Sequence, residues 1–173
     1  IKRKTKLIEN NIWEKIIKKL LIDVSVLKSD RYVIGFWASD AELISAGARF
    51  HIEPESEETK TLTRDCDVHF IAEDKTPEIS FYSVPAVEII AFDSLGGYIA
   101  LYGEAEEVIY IDKEQKVFYL AEDMSAFLAD AANWREICRP FDAIEIFPSK
   151  EAAAEKYEFL NAEELMKKFP PVN

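Results

Sequence analysis

VPAVEIIAFDSLGGYIALYGEAEEVIYIDKEQKVFYLAEDMSAFLADAA, residues 84–132, holds four apolar runs followed by a helical pattern. The runs at 87–92, 98–102, 108–111 and 117–120 are rich in β-branched and aromatic residues, which pack well on a pleated surface. Five turn-forming or charged residues separate each run from the next. Connections that short join antiparallel neighbours, because a parallel return needs a crossover of a dozen or more residues. The stretch therefore predicts a β-meander. Beyond it, Met124, Phe127, Leu128 and Ala131 recur at i, i+3, i+4 and i+7, the spacing of one apolar stripe on a helix, and Asp123 stands where an N-cap is needed. That helix is expected to lie across the sheet.

Outward from this core, the N-terminal side predicts a helix over 13–21. Asn11 and Glu14 are spaced as a capping box, and Trp13, Ile16, Ile17, Leu20 and Val24 recur at helical spacing while Lys15, Lys18 and Lys19 face elsewhere. Residues 31–38 read as a strand; Ser39 and Glu42 start a short helix that Gly47 ends; residues 48–52 read as a second strand. Residues 53–64 contain Pro54, polar side chains at almost every position and only Leu62 to bury, which predicts an exposed loop or a long hairpin turn. Strands at 68–72 and 79–84 lead into the meander, bringing the sheet to six to eight strands. On the far side, 133–140 reads as irregular and 141–147 as a further strand. Ser149 caps a helix over 150–160, and Asn161 with Glu164 caps another over 162–169, which stops before Pro170-Pro171. The fold class is α+β, a mixed, mostly antiparallel sheet flanked by helices. No repeat or Gly/Ser-rich linker divides residues 1–173, which read as one domain.

The chain has 173 residues, enough to bury a core without covalent staples. With only Cys66 and Cys138 at most one bridge can form, and the low cysteine density points to a reducing, cytoplasmic setting. Opening on Ile1 rather than Met leaves room for a removed upstream segment. No uncharged apolar run reaches membrane-spanning length, since the best, 16–26, is broken by Lys18, Lys19 and Asp23. Formal net charge is −12; residues 1–20 hold seven basic side chains against two acidic ones, which leaves −17 on the remainder. A body that acidic repels nucleic-acid phosphates and anionic lipid, and it steers a basic protein toward itself.

No catalytic constellation emerges. Cys66-x-x-His69 has ligand-type residues, but on a strand positions three apart point to opposite faces, and a second ligand pair is missing. There is no nucleophile elbow, and Gly96-Gly97 lacks the Lys-Ser/Thr that follows a phosphate-binding loop. Those glycines read as a turn that needs positive φ or close backbone approach. No metal or nucleotide cofactor is expected.

Two segments, EISFYSVPAVEIIAFDSLGGYIALY and EVIYIDKEQKVFYLAEDMSAFLADAANW, resemble the SUKH superfamily, the Smi/Knr-like proteins, over residues 78–134. Gly96 and Gly97 match that family's glycine turn, Val108 and Tyr110 its hairpin strand, and Phe127-Leu128 its helix pair. The chain departs from the pattern in having no Leu-Pro dipeptide and no Asn-Gly turn, with Tyr98 where an acidic residue often follows the glycines. The resemblance implies an α+β domain without catalysis that works in bacteria as an immunity protein, neutralising a toxin that is often a nuclease. Eukaryotic relatives imply a second role, as adaptors linked to cell-wall synthesis. An enzyme or small-molecule carrier with a pocket of scattered residues is the competing class. For the binding reading the expected contacts are the meander turns, Asp93, Ser94, Gly96 and Gly97, then Glu104, Glu106 and Glu107, then Asp112, presented together with acidic residues 53–58 to a basic protein partner.

Overall fold

The computed structural model describes residues 18–26, 41–74 and 76–161. Its centre is the meander: β6 (Val87–Phe92), β7 (Tyr98–Tyr102), β8 (Glu107–Ile111) and β9 (Val117–Ala121) pair in sequence order, each antiparallel to the next. Register slips once in β6, between Ile89 and Ala91, a bulge that sends the Ile90 carbonyl to the Ile71 N–H at 3.0 Å. Two short strands extend the far edge of β6 end to end. β3 (Ala48–Phe50) runs parallel to it and β4 (His69–Phe70) antiparallel. β10 (Arg139–Pro140) closes the other edge on β9. The sheet is thus mixed and mostly antiparallel, and the protein is α+β.

Alternation along the strands divides the core in two. On one face Ile90, Ile99, Val108, Tyr110 and Leu120 pack with Leu62, Phe127 and Trp134. These last three come from α1 (Glu57–Cys66), α2 (Met124–Ala129) and α3 (Trp134–Ile137), so the helices cover this face. On the other face Ile89, Ala100, Ile109 and Ile111 pack with Ile71, Phe81 and Ile144. A smaller parallel sheet, β12–β1–β2, stands beside the first, built from β1 (Lys18–Asp23), β2 (Ala41–Ala46) and β12 (Glu158–Phe159). It buries Leu21 and Ala46 against Ala153 of α4 (Lys150–Lys156) and against Tyr82 and Val84 of β5 (Tyr82–Val84). β5 in turn pairs with β11 (Glu145–Phe147). Gly47 turns the corner between the sheets at φ +99, where an added Cβ would meet Asp23 Oδ1 at 3.1 Å and Tyr82 at 3.2 Å. A glycine is required there on both counts.

Several sequence expectations hold and several do not. The meander, the helix capped by Asp123 (its carboxylate accepts from the Ala126 N–H at 2.8 Å) and the helix capped by Ser149 are present. The helix expected at 13–21 is corrected over its described part: Lys18–Asp23 is a strand, and residues 13–17 lie outside the described residues. The short helix expected after Ser39 is also a strand, Ala41–Ala46. The loop expected at 53–64 is in large part α1, with Ser56 and Thr59 forming a reciprocal capping box. The irregular stretch at 133–140 holds α3 and β10, and the helix after Ser149 ends at Lys156 before turning into β12. The strand at 31–38 and the helix at 162–169 fall outside the described residues. Among the described residues no helix is long and apolar enough to cross a membrane.

Candidate functional site

Antiparallel order dictates where the acidic turns stand. The β6–β7 and β8–β9 connections lie at one end of the sheet and the β7–β8 connection at the other. The expectation that all three turns are presented together is therefore corrected: Asp93, Ser94, Gly96, Gly97 and Asp112 share one end, and Glu104, Glu106 and Glu107 occupy the opposite one.

At the first end the acids serve the fold. Asp93 is 4% exposed, and its carboxylate accepts from the Leu95 N–H (3.0 Å), the Gly97 N–H (2.7 Å) and the Tyr110 hydroxyl (2.5 Å), closing the turn from within. Tyr110 reaches it because the hydroxyl end of its ring occupies the space beside Gly97: a Cβ there would sit 2.2 Å from the hydroxyl oxygen. Gly96 supplies the positive φ of the turn, +88. The two glycines thus meet the two needs expected of them, one conformational and one steric. Arg135 Nη2 bridges Asp93 Oδ2 (3.1 Å) and Asp67 Oδ2 (2.7 Å), with its guanidinium over the Trp134 ring. Asp67, in the left-handed region at φ 56 just past α1, also accepts from the Ser94 hydroxyl (2.7 Å) and lies 2.8 Å from His69 Nε2. Burial pushes the Tyr110 hydroxyl well above its usual range, reinforced by Asp93, so it stays a donor. Asp112 is likewise engaged, accepting from the Glu114 and Lys116 N–H groups at 2.9 Å each. Only Ser94, Leu95 and Gly96 of the first turn are exposed.

This network has a pH signature. Partial burial works to raise the Asp67 carboxyl, but hydrogen bonds from Ser94, His69 and Arg135 outweigh it and hold the pKa at about 2. A carboxylate depressed in the folded state adds stability that is complete above its unfolded value, about 3.9, and is lost as pH falls toward 2. Asp67→Asn keeps a residue that tolerates left-handed backbone. Thermal melts between pH 5 and 2 are expected to show a smaller loss of Tm for Asp67→Asn than for the unaltered protein, and parallel curves would mean Asp67 is not coupled to folding.

The opposite end is arranged otherwise. Gly103 (φ 73) and Glu106 (φ 53) form a tight turn closed by the Glu106 N–H on the Gly103 carbonyl at 3.1 Å. Glu104 and Glu106 are exposed and Glu107 half-buried, and among the described residues no side-chain hydrogen bond or ion pair engages any of the three. Glu104 and Glu106 border an open groove of about 590 Å³ with an apolar floor of Pro85, Val87, Leu101 and Tyr102 and further charge from Glu88 and Arg49. Of the acidic residues at 53–58, Glu57 and Glu58 occupy the first turn of α1, where carboxylates complement the helix dipole. Among the described residues no group of three or more His, Cys, Asp or Glu is placed to hold a metal ion, and both cysteines are free.

The groove was not legible in sequence, because its floor and rim come from β2, β3, β6 and β7 and meet only through the pairing of β3 with β6. The one available signal was the run Glu104-Ala105-Glu106-Glu107 itself. A scan against models of protein families finds no match, and neither a search of curated proteins nor a search of solved structures returns a similar chain.

Proposed function

We propose that this chain is a non-catalytic binding module for a basic protein, and that it acts as a bacterial immunity protein that neutralises a toxin, such as a nuclease. The observation that carries the binding reading is the contrast between the two ends of the sheet. Asp93, Asp67 and Asp112 are consumed by internal partners, whereas Glu104, Glu106 and Glu107 have no internal partner among the described residues, and Glu104 and Glu106 line an apolar-floored groove. A rigid sheet end that holds uncompensated carboxylates at a groove raises the local potential and steers a cationic partner. The net charge of −12 acts in the same direction. The resemblance of residues 78–134 to Smi/Knr-like proteins supports the choice of an immunity role; a basic nuclease is a fitting partner because its own substrate is a polyanion.

Binding by steering has a kinetic test. Glu104→Lys, Glu106→Lys and Glu107→Lys combined are expected to slow association about tenfold or more at low salt, with little change in Tm, because none of the three side chains has a partner to lose among the described residues. Association of the unaltered protein is expected to slow as salt rises, since the Debye length shrinks from about 30 Å at 0.01 M to about 8 Å at 0.15 M. Surface plasmon resonance against the basic protein recovered from the source organism, at those two ionic strengths, measures both. An association rate indifferent to salt and to the triple substitution would remove the electrostatic reading.

A further inference from the structure

The groove beside Glu104 and Glu106 does not end at Leu101. That residue also walls a second cavity, about 240 Å³, enclosed by Leu62, Phe70, Ile90, Met124 and Leu128 between α1, α2 and the sheet. His51 lies at the mouth of this second cavity, and its Nδ1 is 3.4 Å from Glu88 Oε1, which lines the first. The two spaces therefore share one wall and are bridged at the rim. Along their length stand the acidic residues Glu53, Glu58, Glu88, Glu104 and Glu106, with Arg49 and the His51 imidazole among them.

We propose that the two cavities form one trough that takes an extended basic segment of a partner protein. The smaller cavity accepts a single large aliphatic or aromatic side chain, and the larger accepts the Lys or Arg residues beside it. The proposal rests on the basic-partner reading and specifies how that partner is gripped. The smaller cavity suits one large side chain because Leu62, Phe70, Ile90, Leu101, Met124 and Leu128 give it one apolar side, opposite the polar residues at 51–59, and its volume lies below the roughly 300–1,000 Å³ of drug-sized ligand clefts. The larger suits cationic side chains because Lys and Arg lay their aliphatic stems on apolar surface while the charged heads seek anions, and here Val87, Leu101 and Tyr102 offer the surface and Glu88, Glu104 and Glu106 the anions. Residues in the apolar cavity set the off-rate and residues along the acidic rim set the on-rate and the choice of partner. A second copy of this chain is a poorer occupant than a basic protein, since the whole chain, its basic residues 1–20 included, carries a formal net charge of −12.

Panning a phage-displayed random peptide library on the full chain tests this. Enriched peptides are expected to share one large apolar residue next to two or more Lys or Arg. A synthetic peptide of that sequence, followed by fluorescence anisotropy, is expected to lose about tenfold in affinity on Leu128→Trp, which fills the small cavity, and about tenfold on Glu88→Lys. Met124→Phe narrows the same cavity and serves if Leu128→Trp does not fold. No enrichment, or enrichment of acidic or charge-free peptides, would overturn the proposal. So would a dimer of the chain dissolved by these substitutions, or a small molecule found in the cavity by native mass spectrometry. Basic peptides whose binding falls with the Glu104, Glu106 and Glu107 reversals yet ignores both cavity substitutions would overturn the trough and leave the basic-partner reading in place. A steered natural partner that the charge reversals do not affect would instead remove that reading itself.

Discussion

Phe127→Ala is expected to lower the free energy of unfolding by about 3–5 kcal/mol, the range for truncating a fully buried Phe. Phe127 is 0% exposed and shares its cluster with Val108, Tyr110, Leu120 and Trp134. α2 is six residues long, too short to be stable on propensity alone, so its position depends on packing, and Phe127 is its one fully buried side chain beside the half-buried Met124, Ala126 and Leu128. Leu128, half-buried on the same helix, is the internal control, and Leu128→Ala is expected to cost less. Urea titrations of both variants measure the difference. An unchanged midpoint for Phe127→Ala would mean that the helix does not pack through this face.

Arg135→Met is expected to cost about 2 kcal/mol, below the roughly 3–5 kcal/mol of breaking a fully buried ion pair, because the Arg135 side chain is 39% exposed and water screens part of the interaction. The Asp93 side chain is 0% exposed, so loss of the guanidinium 3.1 Å away leaves its charge uncompensated in the interior. Three hydrogen bonds to Asp93 survive the substitution and keep the effect from being larger. The companion Asp93→Asn removes that charge, so the double variant is expected to be more stable than the sum of the two single losses predicts. A double-mutant cycle by chemical denaturation reads this coupling directly. Strict additivity would show that Arg135 is held by Asp67 and Trp134 alone.

What the chain revealed in advance was what its neighbours in sequence decide. The meander was legible because each strand pairs with the next one along, its alternation is period two, and its connections are short. Asp123 and Ser149 were legible because capping is a contact three residues long. β1 was misread because Leu20 and Val24 stand at helical spacing, whereas the buried LLI run belongs to a strand paired on both sides, and such strands lose their alternation. β2 was misread because its partner lies more than twenty positions away, across no local signal. α1 buries Leu62 alone among its ten residues, so an apolar stripe could not announce it; Ser56 followed by Glu57 and Glu58, with Arg64 in the last turn, was the signal present. The glycine pair was identified as a turn, but Arg135 could not be tied to it, because the ion pair links a meander turn to a helix some forty residues downstream.

The parallel sheet β12–β1–β2 carries a consequence for biosynthesis. Leu20 lies opposite Glu158, and the Leu160 N–H donates to the Leu21 carbonyl at 2.8 Å, so one edge of a strand near the start of the chain is sealed by residues about 140 positions later. A nascent chain can close the meander as soon as residues 87–121 have emerged from the ribosome, since those contacts are local. β1 must wait with a row of unpaired backbone groups until residue 160 is out. An open strand edge of that kind is a template for pairing with other chains, and Lys18, Lys19 and Asp23 around the apolar residues 20–22 oppose it. The interval between emergence of β1 and emergence of β12 is therefore the period in which this edge lies open to wrong pairing.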